Sequence, residues 1–208
     1  MVHVTDKYLR EDFLYSLTIK NDSSVLGIDD SPFRKNIDRT ARLIGTLMRL
    51  GGRIDGFFIE RIVVDGDNGT DAIISMWKKI RPQKLAAFLL DGVTLGGMNI
   101  VDIEKLYSET SVPVICVTKR EPSIESMKEV VRKHFPDNNY KMRTLSELTV
   151  DTIELRNRRK LFCNLKGIDP IEARTILERQ CTLNLIPDAV RISHLLGESV
   201  KFGSSKRR

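Results

Sequence analysis

The run Leu-Ala-Ala-Phe-Leu-Leu at residues 85–90 constrains the fold most, because none of its six side chains is polar. A strand that is apolar on both sides must be covered on both sides, as the central strands of parallel sheets are. A second apolar run occupies residues 112–118. A segment of helical spacing separates the two runs, so the pattern predicts parallel strands joined by a right-handed helical crossover.

The N-terminal half predicts three more strands. Residues 25–30 form a short apolar segment that ends in two carboxylates. Residues 39–50 and 54–64 flank Gly51-Gly52 and predict an antiparallel hairpin. A helix over 39–50 is the competing interpretation, since the apolar spacing there is mixed. We therefore predict an α/β fold, a mixed sheet of an antiparallel hairpin plus parallel strands with helices on both faces.

The spacing of apolar residues also predicts five helices and a further strand. The first helix starts near Asp71, is capped by Thr70 and is stopped by Pro82. The other predictions are helices over about 99–110, 123–135, 170–181 and 187–199, and a strand over 161–166. We expect a single domain over 1–208, with a core at about 21–136 and a mostly helical C-terminal extension at about 137–208.

Charge and cysteine content narrow the class of protein. The net charge of +6 favours a polyanionic partner. Part of that excess lies in two clusters that we interpret as solvated, residues 156–160 and Lys206–Arg208. The cysteines Cys116, Cys163 and Cys181 form no Cys-x-x-Cys pair, which argues against a zinc site or a disulfide framework. We expect reduced, buried thiols in a cytoplasmic protein, and no apolar run is long enough to span a membrane.

Carboxylates follow three of the predicted strands. Asp29 and Asp30 end the first strand, Asp91 ends the apolar run, and Asp65 and Asp67 follow the hairpin. If residues 25–30 pair in parallel with 85–90, then Asp29 and Asp91 emerge at the same edge of the sheet, where α/β proteins bind ligands. Oxygen ligands suit Mg²⁺ or Mn²⁺, and such ions can promote phosphodiester cleavage.

Each of these residues also has a simpler interpretation. Asp65-Gly66 and Asp91-Gly92 are turn-forming pairs and could merely reverse the chain. For Asp91 we favour function, because a lone carboxylate after six apolar residues is unusual. Lys119 could hold a phosphate or stabilise a transition state, or it could be a solvated strand end. We predict no catalytic role for the histidines, which are His3, His134 and His194.

Several of these segments resemble the nuclease family endonuclease V. Val25–Asp29 with Ser31 is similar to its first strand, whose aspartate binds metal. Phe88–Gly92 is similar to its second metal aspartate, and Val112–Lys119 to the strand that ends in a functional lysine. The chain is closer to an uncharacterised, largely archaeal family related to endonuclease V. Two stretches carry that second resemblance, Val64–Thr70 and Gly97–Ile103.

The resemblance implies a fold, a cofactor and a set of site residues. The fold is of the ribonuclease H type. Asp29, Asp91 and Lys119 would be catalytic. Asp29 and Asp91 would hold Mg²⁺ or Mn²⁺ with help from Asp67. Lys119 and Arg120 would contact nucleic acid, either DNA or RNA.

The chain also departs from the endonuclease V pattern. That family has an Arg-Glu pair before its first crossover helix, and the glutamate binds metal; here Asp67, or failing that Asp65, would have to substitute. Its Tyr-Ile-Pro-Gly wedge is absent, and its Asp-Gly-x-Gly-x-x-His segment is replaced by residues 91–97. The resemblance therefore does not extend to recognition of inosine.

Three functions remain open from the sequence. The first is a metal-dependent phosphodiesterase acting on DNA or RNA. The second is a non-catalytic nucleic-acid-binding or scaffold protein on the same fold, which would bind in a salt-sensitive way without cleaving. The third is an enzyme that acts on a phosphorylated metabolite, which a screen for stabilising nucleotides would reveal. One fold hosts many activities, so the site must decide.

Overall fold

The computed structural model describes residues 22–80, 85–156 and 158–205. Pro82, His3 and Lys206–Arg208 lie outside the described residues. The strands are β1 (Ser24–Asp30), β2 (Thr40–Arg49), β3 (Ile54–Val63), β4 (Leu85–Asp91), β5 (Thr94–Leu95), β6 (Asn99–Ile100), β7 (Val114–Thr118), β8 (Asp151–Glu154) and β9 (Lys160–Lys166). The helices are α1 (Gly69–Lys79), α2 (Ile103–Thr110), α3 (Ile124–His134), α4 (Asn139–Ser146), α5 (Pro170–Gln180) and α6 (Asp188–Phe202).

Seven of the described strands form one mixed sheet in the order β3-β2-β1-β4-β7-β9-β8. In the centre of the sheet, strand β4 pairs in parallel with β1 on one side and with β7 on the other. Strands β2 and β3 form the antiparallel hairpin, and β2 pairs antiparallel with β1. The strand interpretation of residues 39–50 is therefore confirmed over the competing helix.

The sheet is covered on both faces, as the apolar central strands require. From Val25 along β1 and from Ala87 along β4, the even-numbered residues pack with α1 and α2, and the odd-numbered residues pack with α5 and α6. Leu85 and Ala86, at the register shift between the two strands, face the opposite sides. We call the side that the odd-numbered residues of β1 and β4 line the α6 face. This alternation follows from the pleat of a strand, which sends successive side chains to opposite sides. A smaller cluster joins β6 to α3 and α4.

Helix α6 lies very close to strand β1. A Cβ atom placed on Gly27 would lie 2.3 Å from the carbonyl carbon of Ala189, so only glycine fits here. The hydroxyl of Ser193 donates to the carbonyl of Gly27 at 2.8 Å and lies 2.7 Å from the hydroxyl of Thr46. These buried polar contacts fix the rotation of α6 about its axis, because a misaligned helix would leave them unsatisfied.

One predicted helix cap and one predicted helix start were wrong, for related reasons. Helix α1 begins at Gly69, close to the predicted start near Asp71, but Thr70 does not cap it. The hydroxyl of Thr70 instead accepts a hydrogen bond from the backbone of Asp102. The helix predicted from residue 99 begins at Ile103, because residues 99–100 form β6 and the Asp102 side chain caps the helix.

The residues predicted as a C-terminal extension complete the main sheet. Strand β9 pairs antiparallel with β7, and β8 pairs with β9. The weak apolar pattern after Pro136 concealed helix α4 and strand β8, which are short and amphipathic only in part. No helix in the described ranges is both long and apolar enough to cross a membrane.

The three cysteines are buried and unpaired, as predicted. Burial raises the pKa of Cys163 and Cys181 to about 12 and also raises the pKa of Cys116. The thiols therefore stay protonated at neutral pH and act as small core side chains.

We expect Gly27→Ala to destabilise the protein by about 1–3 kcal/mol or more, because the new methyl group must push α6 away from β1. The control is Gly56→Ala, where a Cβ atom would meet nothing closer than a Phe58 ring atom at 3.8 Å. Urea unfolding measures both variants. Equal stabilities for the two would contradict the close packing of α6 on β1.

Candidate active site

Asp29 and Asp91 emerge side by side at one edge of the sheet. Gly27 pairs with Leu89 and Ile28 with Leu90 in the parallel ladder, so the next residues on each strand are neighbours. Both aspartates occupy odd-numbered positions and therefore lie on the α6 face. The predicted parallel pairing of the first strand with residues 85–90 is confirmed.

His194 of helix α6 completes this group. Its Nδ1 atom lies 2.9 Å from Oδ2 of Asp29, and its Nε2 atom lies 3.7 Å from Oε1 of Glu198. The hydrogen bond to Asp29 raises the pKa of His194, and the charges of Glu198 and Asp91 add to that shift. We call Asp29, Asp30, Asp91 and His194 the strand-end cluster.

The carboxylates of the strand-end cluster repel one another. The pKa of Asp91 is raised, first because the strand end removes water from around it and then because of the charge of Asp29. Burial and Asp29 also raise the pKa of Asp30 to about 6, although a backbone hydrogen bond from Gly96 opposes that shift. Perturbed carboxyl groups gathered at one sheet edge are typical of functional sites.

Lys119 and Arg120 follow strand β7 at the same edge. Both are exposed, and neither side chain has a hydrogen bond or ion pair with a described residue. The charge of Lys119 lowers the pKa of Asp91, which places its ammonium group within electrostatic reach of the cluster. The structure thus brings Lys119 beside Asp91 and leaves its ammonium group available to an anion.

Asp67 has other partners. Its carboxylate accepts hydrogen bonds from Nζ of Lys141 at 2.6 Å and from Nδ2 of Asn138 at 2.8 Å. The Lys141 side chain is fully buried, and its ammonium group also donates to the carbonyls of Gly66 and Met98. No described contact links Asp67 to Asp29 or Asp91, so a metal role for Asp67 stays a prediction.

Asp65 shapes the chain near the cluster. Its φ angle is 58°, and its Oδ1 atom accepts a hydrogen bond from the backbone of Met98 at 2.8 Å. Its own backbone N–H donates to the carbonyl of Gly96 at 2.8 Å. These contacts fit the interpretation of Asp65 as a turn residue, and they hold the loop whose Gly96 backbone binds Asp30.

The donors of the strand-end cluster fit Mg²⁺ or Mn²⁺. Within the described part of the chain, no three His, Cys, Asp or Glu side chains are arranged to hold a metal by themselves. Mg²⁺ does not require such a cage, because it is usually bound by one or two carboxylates together with substrate phosphates. Asp29 and Asp91 are two neighbouring carboxylates, and the pKa of Asp91 is raised by burial and by the charge of Asp29. They match that requirement, since a cation between them would relieve their repulsion.

Sequence reasoning missed His194, and only part of its signal was visible. Ala189, Ser193 and Gly197 recur at helical spacing and indicate a helix that packs closely against another element. The side chain of His194 follows directly after Ser193 on that helix. Nothing local identifies β1 as the packing partner, so the contact with Asp29 could not be derived from the spacing.

Comparison with known proteins agrees with this geometry. Residues 21–201 match the protein family described as endonuclease dU. The chain belongs to this family. It is 34% identical over 189 residues to a UPF0215 protein of Methanothermobacter thermautotrophicus, covering 90% of this chain and 92% of that protein. It is 32% identical over 190 residues to a UPF0215 protein of Pyrococcus horikoshii, covering 91% and 97%. The predicted resemblance to an uncharacterised archaeal family is confirmed.

Solved structures support the fold. A protein of unknown function from Archaeoglobus fulgidus superposes with a TM-score of 0.73 at 31% identity, covering 86% of this chain and 98% of that one. Endonuclease V of Ciona intestinalis, bound to DNA containing inosine, gives 0.54 at 12% identity, covering 91% and 93%. Argonaute of Marinitoga piezophila, bound to guide RNA and target DNA, gives 0.50 at 14% identity, covering 84% and 29%. The predicted ribonuclease H-like fold is confirmed.

We expect Asp30→Asn to stabilise the metal-free protein in a pH-dependent way. The pKa of Asp30 is about 6 in the folded state against 3.8 in the unfolded state, so the wild type loses stability as pH rises through this window. The shift corresponds to about 3 kcal/mol, which partial exposure reduces to about 1–2 kcal/mol. The advantage of the variant should be absent near pH 4 and complete above pH 7.

Thermal unfolding between pH 4 and 8, in the presence of a chelator, measures this difference. The control is Asp137→Asn, which removes an exposed carboxylate outside the strand-end cluster. A gain for Asp30→Asn that stays constant across the pH range would contradict the crowding of Asp30 against Asp29.

Proposed function

We propose that this protein is a metal-dependent endonuclease that cleaves DNA strands containing deoxyuridine. The observation that carries the proposal is the juxtaposition of Asp29 and Asp91 on the α6 face, with His194 hydrogen-bonded to Asp29 at 2.9 Å. The family description supports a nuclease, and the fold shared with endonuclease V and Argonaute supports phosphodiester chemistry. The raised pKa of Asp91 supports a cation between the carboxylates.

Asp29 and Asp91 would hold Mg²⁺ or Mn²⁺ through their carboxylate oxygens. When bound, such an ion lowers the pKa of a water molecule and stabilises the leaving oxygen of a phosphodiester. Asp67 would contribute only if it left its ion pair with Lys141. The Lys141 ammonium group of that pair is fully buried, so breaking the pair would leave an unpaired buried charge and would cost stability.

His194 acts through Asp29 in this proposal. Its hydrogen bond fixes the orientation of the Asp29 carboxylate, as outer partners of metal ligands usually do. Lys119 and Arg120 would meet the phosphates of the substrate, with Lys119 close enough to Asp91 to stabilise charge at the reacting phosphate.

The choice of substrate rests on the family and on the departures from endonuclease V. The family is described as endonuclease dU, which names deoxyuridine. The wedge and the histidine-containing segment of endonuclease V are both absent from this chain, so inosine is not the expected base. A cytoplasmic location, where chromosomal DNA is accessible in archaea, belongs to the same proposal and is supported by the free buried cysteines.

We expect Asp29→Asn and Asp91→Asn each to reduce cleavage by about a hundredfold or more, because loss of a ligand forfeits much of the several kcal/mol that a metal ion contributes. The measurement is cleavage of end-labelled single- and double-stranded DNA that carries one deoxyuridine, with Mg²⁺ or Mn²⁺. Asp137→Asn is the matched control, since it removes an exposed carboxylate outside the strand-end cluster.

Three outcomes would contradict all or part of the proposal. Cleavage that persists in the Asp29→Asn/Asp91→Asn double variant would remove the site. Salt-sensitive binding without any cleavage, with either metal and any of these substrates, would favour the non-catalytic nucleic-acid-binding function. Equal cleavage of DNA with and without deoxyuridine would reject the proposed base while keeping the nuclease.

We expect His194→Ala to raise the metal concentration for half-maximal cleavage by about 10–100-fold, because Asp29 loses the group that orients it. Saturating metal should restore most of the rate. Ser199→Ala on the same helix is the control, since its hydroxyl donates only to the carbonyl of Leu195. An unchanged metal dependence with an altered maximal rate would show that His194 does not act through the ligand.

A further inference from the structure

A basic cavity opens beside the strand-end cluster, and the roles assigned so far do not use it. Its volume is about 290 Å³, close to the lower end of small-ligand pockets at about 300 Å³. Its lining residues come from the start of β2, the end of β3 and the end of α6, together with Ser31. They are Ser31, Thr40, Ala41, Arg42, Arg61, Val200 and Lys201. Ser31 directly follows Asp30, so the cavity adjoins the cluster.

Two arginines of this cavity face each other. Arg42 and Arg61 are directly paired across the antiparallel ladder of β2 and β3. Residues opposite each other in such a ladder project to the same side, and like charges there are unfavourable. Both side chains are exposed, and neither guanidinium has a hydrogen bond or ion pair with any residue in the described ranges. The fold thus keeps two uncompensated cations side by side.

The remaining cation of the cavity is compensated. Nζ of Lys201 lies 2.8 Å from Oδ2 of Asp38, which also accepts from the backbone of Arg34. Lys201 therefore lines the cavity, but its charge is already paired with Asp38. The serine is fixed as well, because its hydroxyl accepts from the Arg42 backbone at 3.0 Å and its N–H donates to the Arg42 carbonyl at 2.7 Å. These bonds hold Arg42 against the strand that carries Asp29.

The register of the sheet gives the spacing between the arginines and the cluster. Asp29 pairs with Ile44, and Arg42 lies two residues further along β2 on the same face. A rise of about 3.3 Å per residue and a strand separation of about 4.8 Å put the two Cα atoms about 8 Å apart. That separation is of the same order as the distance between successive phosphates of one strand, so the arginines and Asp29 can contact phosphates that are close together on one strand.

We propose that Arg42 and Arg61 bind one backbone phosphate of the nucleic-acid strand, close to the phosphodiester that lies at Asp29 and Asp91. The position relative to the cut rests on the proposed function, whereas the binding of a phosphate does not. A guanidinium pair suits this ligand, because each planar fork presents two parallel donors to phosphate oxygens. The phosphate would also relieve the repulsion between the two arginines.

The first experiment measures binding of a single-stranded 20-nucleotide DNA to the whole chain with a chelator present. We expect Arg42→Gln/Arg61→Gln to weaken binding about tenfold or more, and to reduce the slope of log affinity against log salt by about 1. The matched control is Arg53→Gln/Arg132→Gln, which removes two ion-paired arginines elsewhere on the surface. It should change binding much less.

Thermal unfolding separates function from structure in the same variants. Because the wild type holds two like charges opposite each other, Arg42→Gln/Arg61→Gln should unfold at the same temperature as the wild type or at a higher one. Weaker binding together with undiminished stability supports a phosphate site. Weaker binding accompanied by a lower unfolding temperature would assign the arginines a structural role and overturn the proposal.

The second experiment identifies the phosphate. A series of 20-nucleotide DNAs carries one uncharged methylphosphonate at each position in turn, counted from a single deoxyuridine. We expect one position, or two adjacent ones, to weaken binding to the wild type as strongly as the arginine variant does. The same substitution should cost the variant nothing further. A position that weakens binding of the arginine variant as strongly as it weakens binding of the wild type would overturn the proposal.

The two proposals fail in different ways. If no DNA is cleaved under any condition but Arg42→Gln/Arg61→Gln still binds more weakly than its control at undiminished stability, the endonuclease fails and the phosphate site stands. If cleavage depends on Asp29 and Asp91 while the arginine variant binds like its control, the endonuclease stands and the phosphate site fails.

Discussion

The packing of helix α6 against strand β1 at Gly27 is the contact on which the site depends. Ser193 hydrogen-bonds to the Gly27 carbonyl, and the next residue of the helix is His194, which reaches Asp29. The two elements stand 166 positions apart in the chain at this contact. The cluster is therefore incomplete until the last helix packs onto the first strand, and the same contact also brings Val200 and Lys201 to the basic cavity.

This arrangement stores electrostatic repulsion at the edge of the sheet. Parallel pairing of β1 with β4 forces Asp29 and Asp91 together. Burial and the charge of Asp29 raise the pKa values of both Asp30 and Asp91. His194 offsets part of this repulsion from one side, and Lys119 offsets part of it from the other. A protein selected for stability alone would place apolar or neutral residues here. Retention of the repulsion is what a site that binds a cation requires.

Local patterns predicted those parts of the protein that depend on local physics. Continuous apolar runs fix which strands are central, the parallel pairing of central strands fixes the edge at which Asp29 and Asp91 emerge, and the pleat fixes their common face. Contacts between distant segments were not predictable. The ion pair of Asp67 with Lys141 joins residues 74 positions apart, and no local pattern indicates it. The Thr70 cap failed similarly, because Asp102 uses the hydroxyl.

The order of charges along the strand-end edge answers a problem that an acidic nuclease site poses. Carboxylates that can hold a cation also repel the phosphates of the substrate, so a bare acidic cluster would keep nucleic acid away. Here Arg42 and Arg61 lie on the β2–β3 side of the cluster, and Lys119 and Arg120 lie on the β7 side. The sheet order β3-β2-β1-β4-β7 places cations, carboxylates and cations in sequence along one edge. A nucleic-acid strand that contacts both basic flanks must pass over Asp29 and Asp91. The flanks therefore attract the phosphates of the substrate, and the acidic centre is left free for the ion and the scissile phosphate.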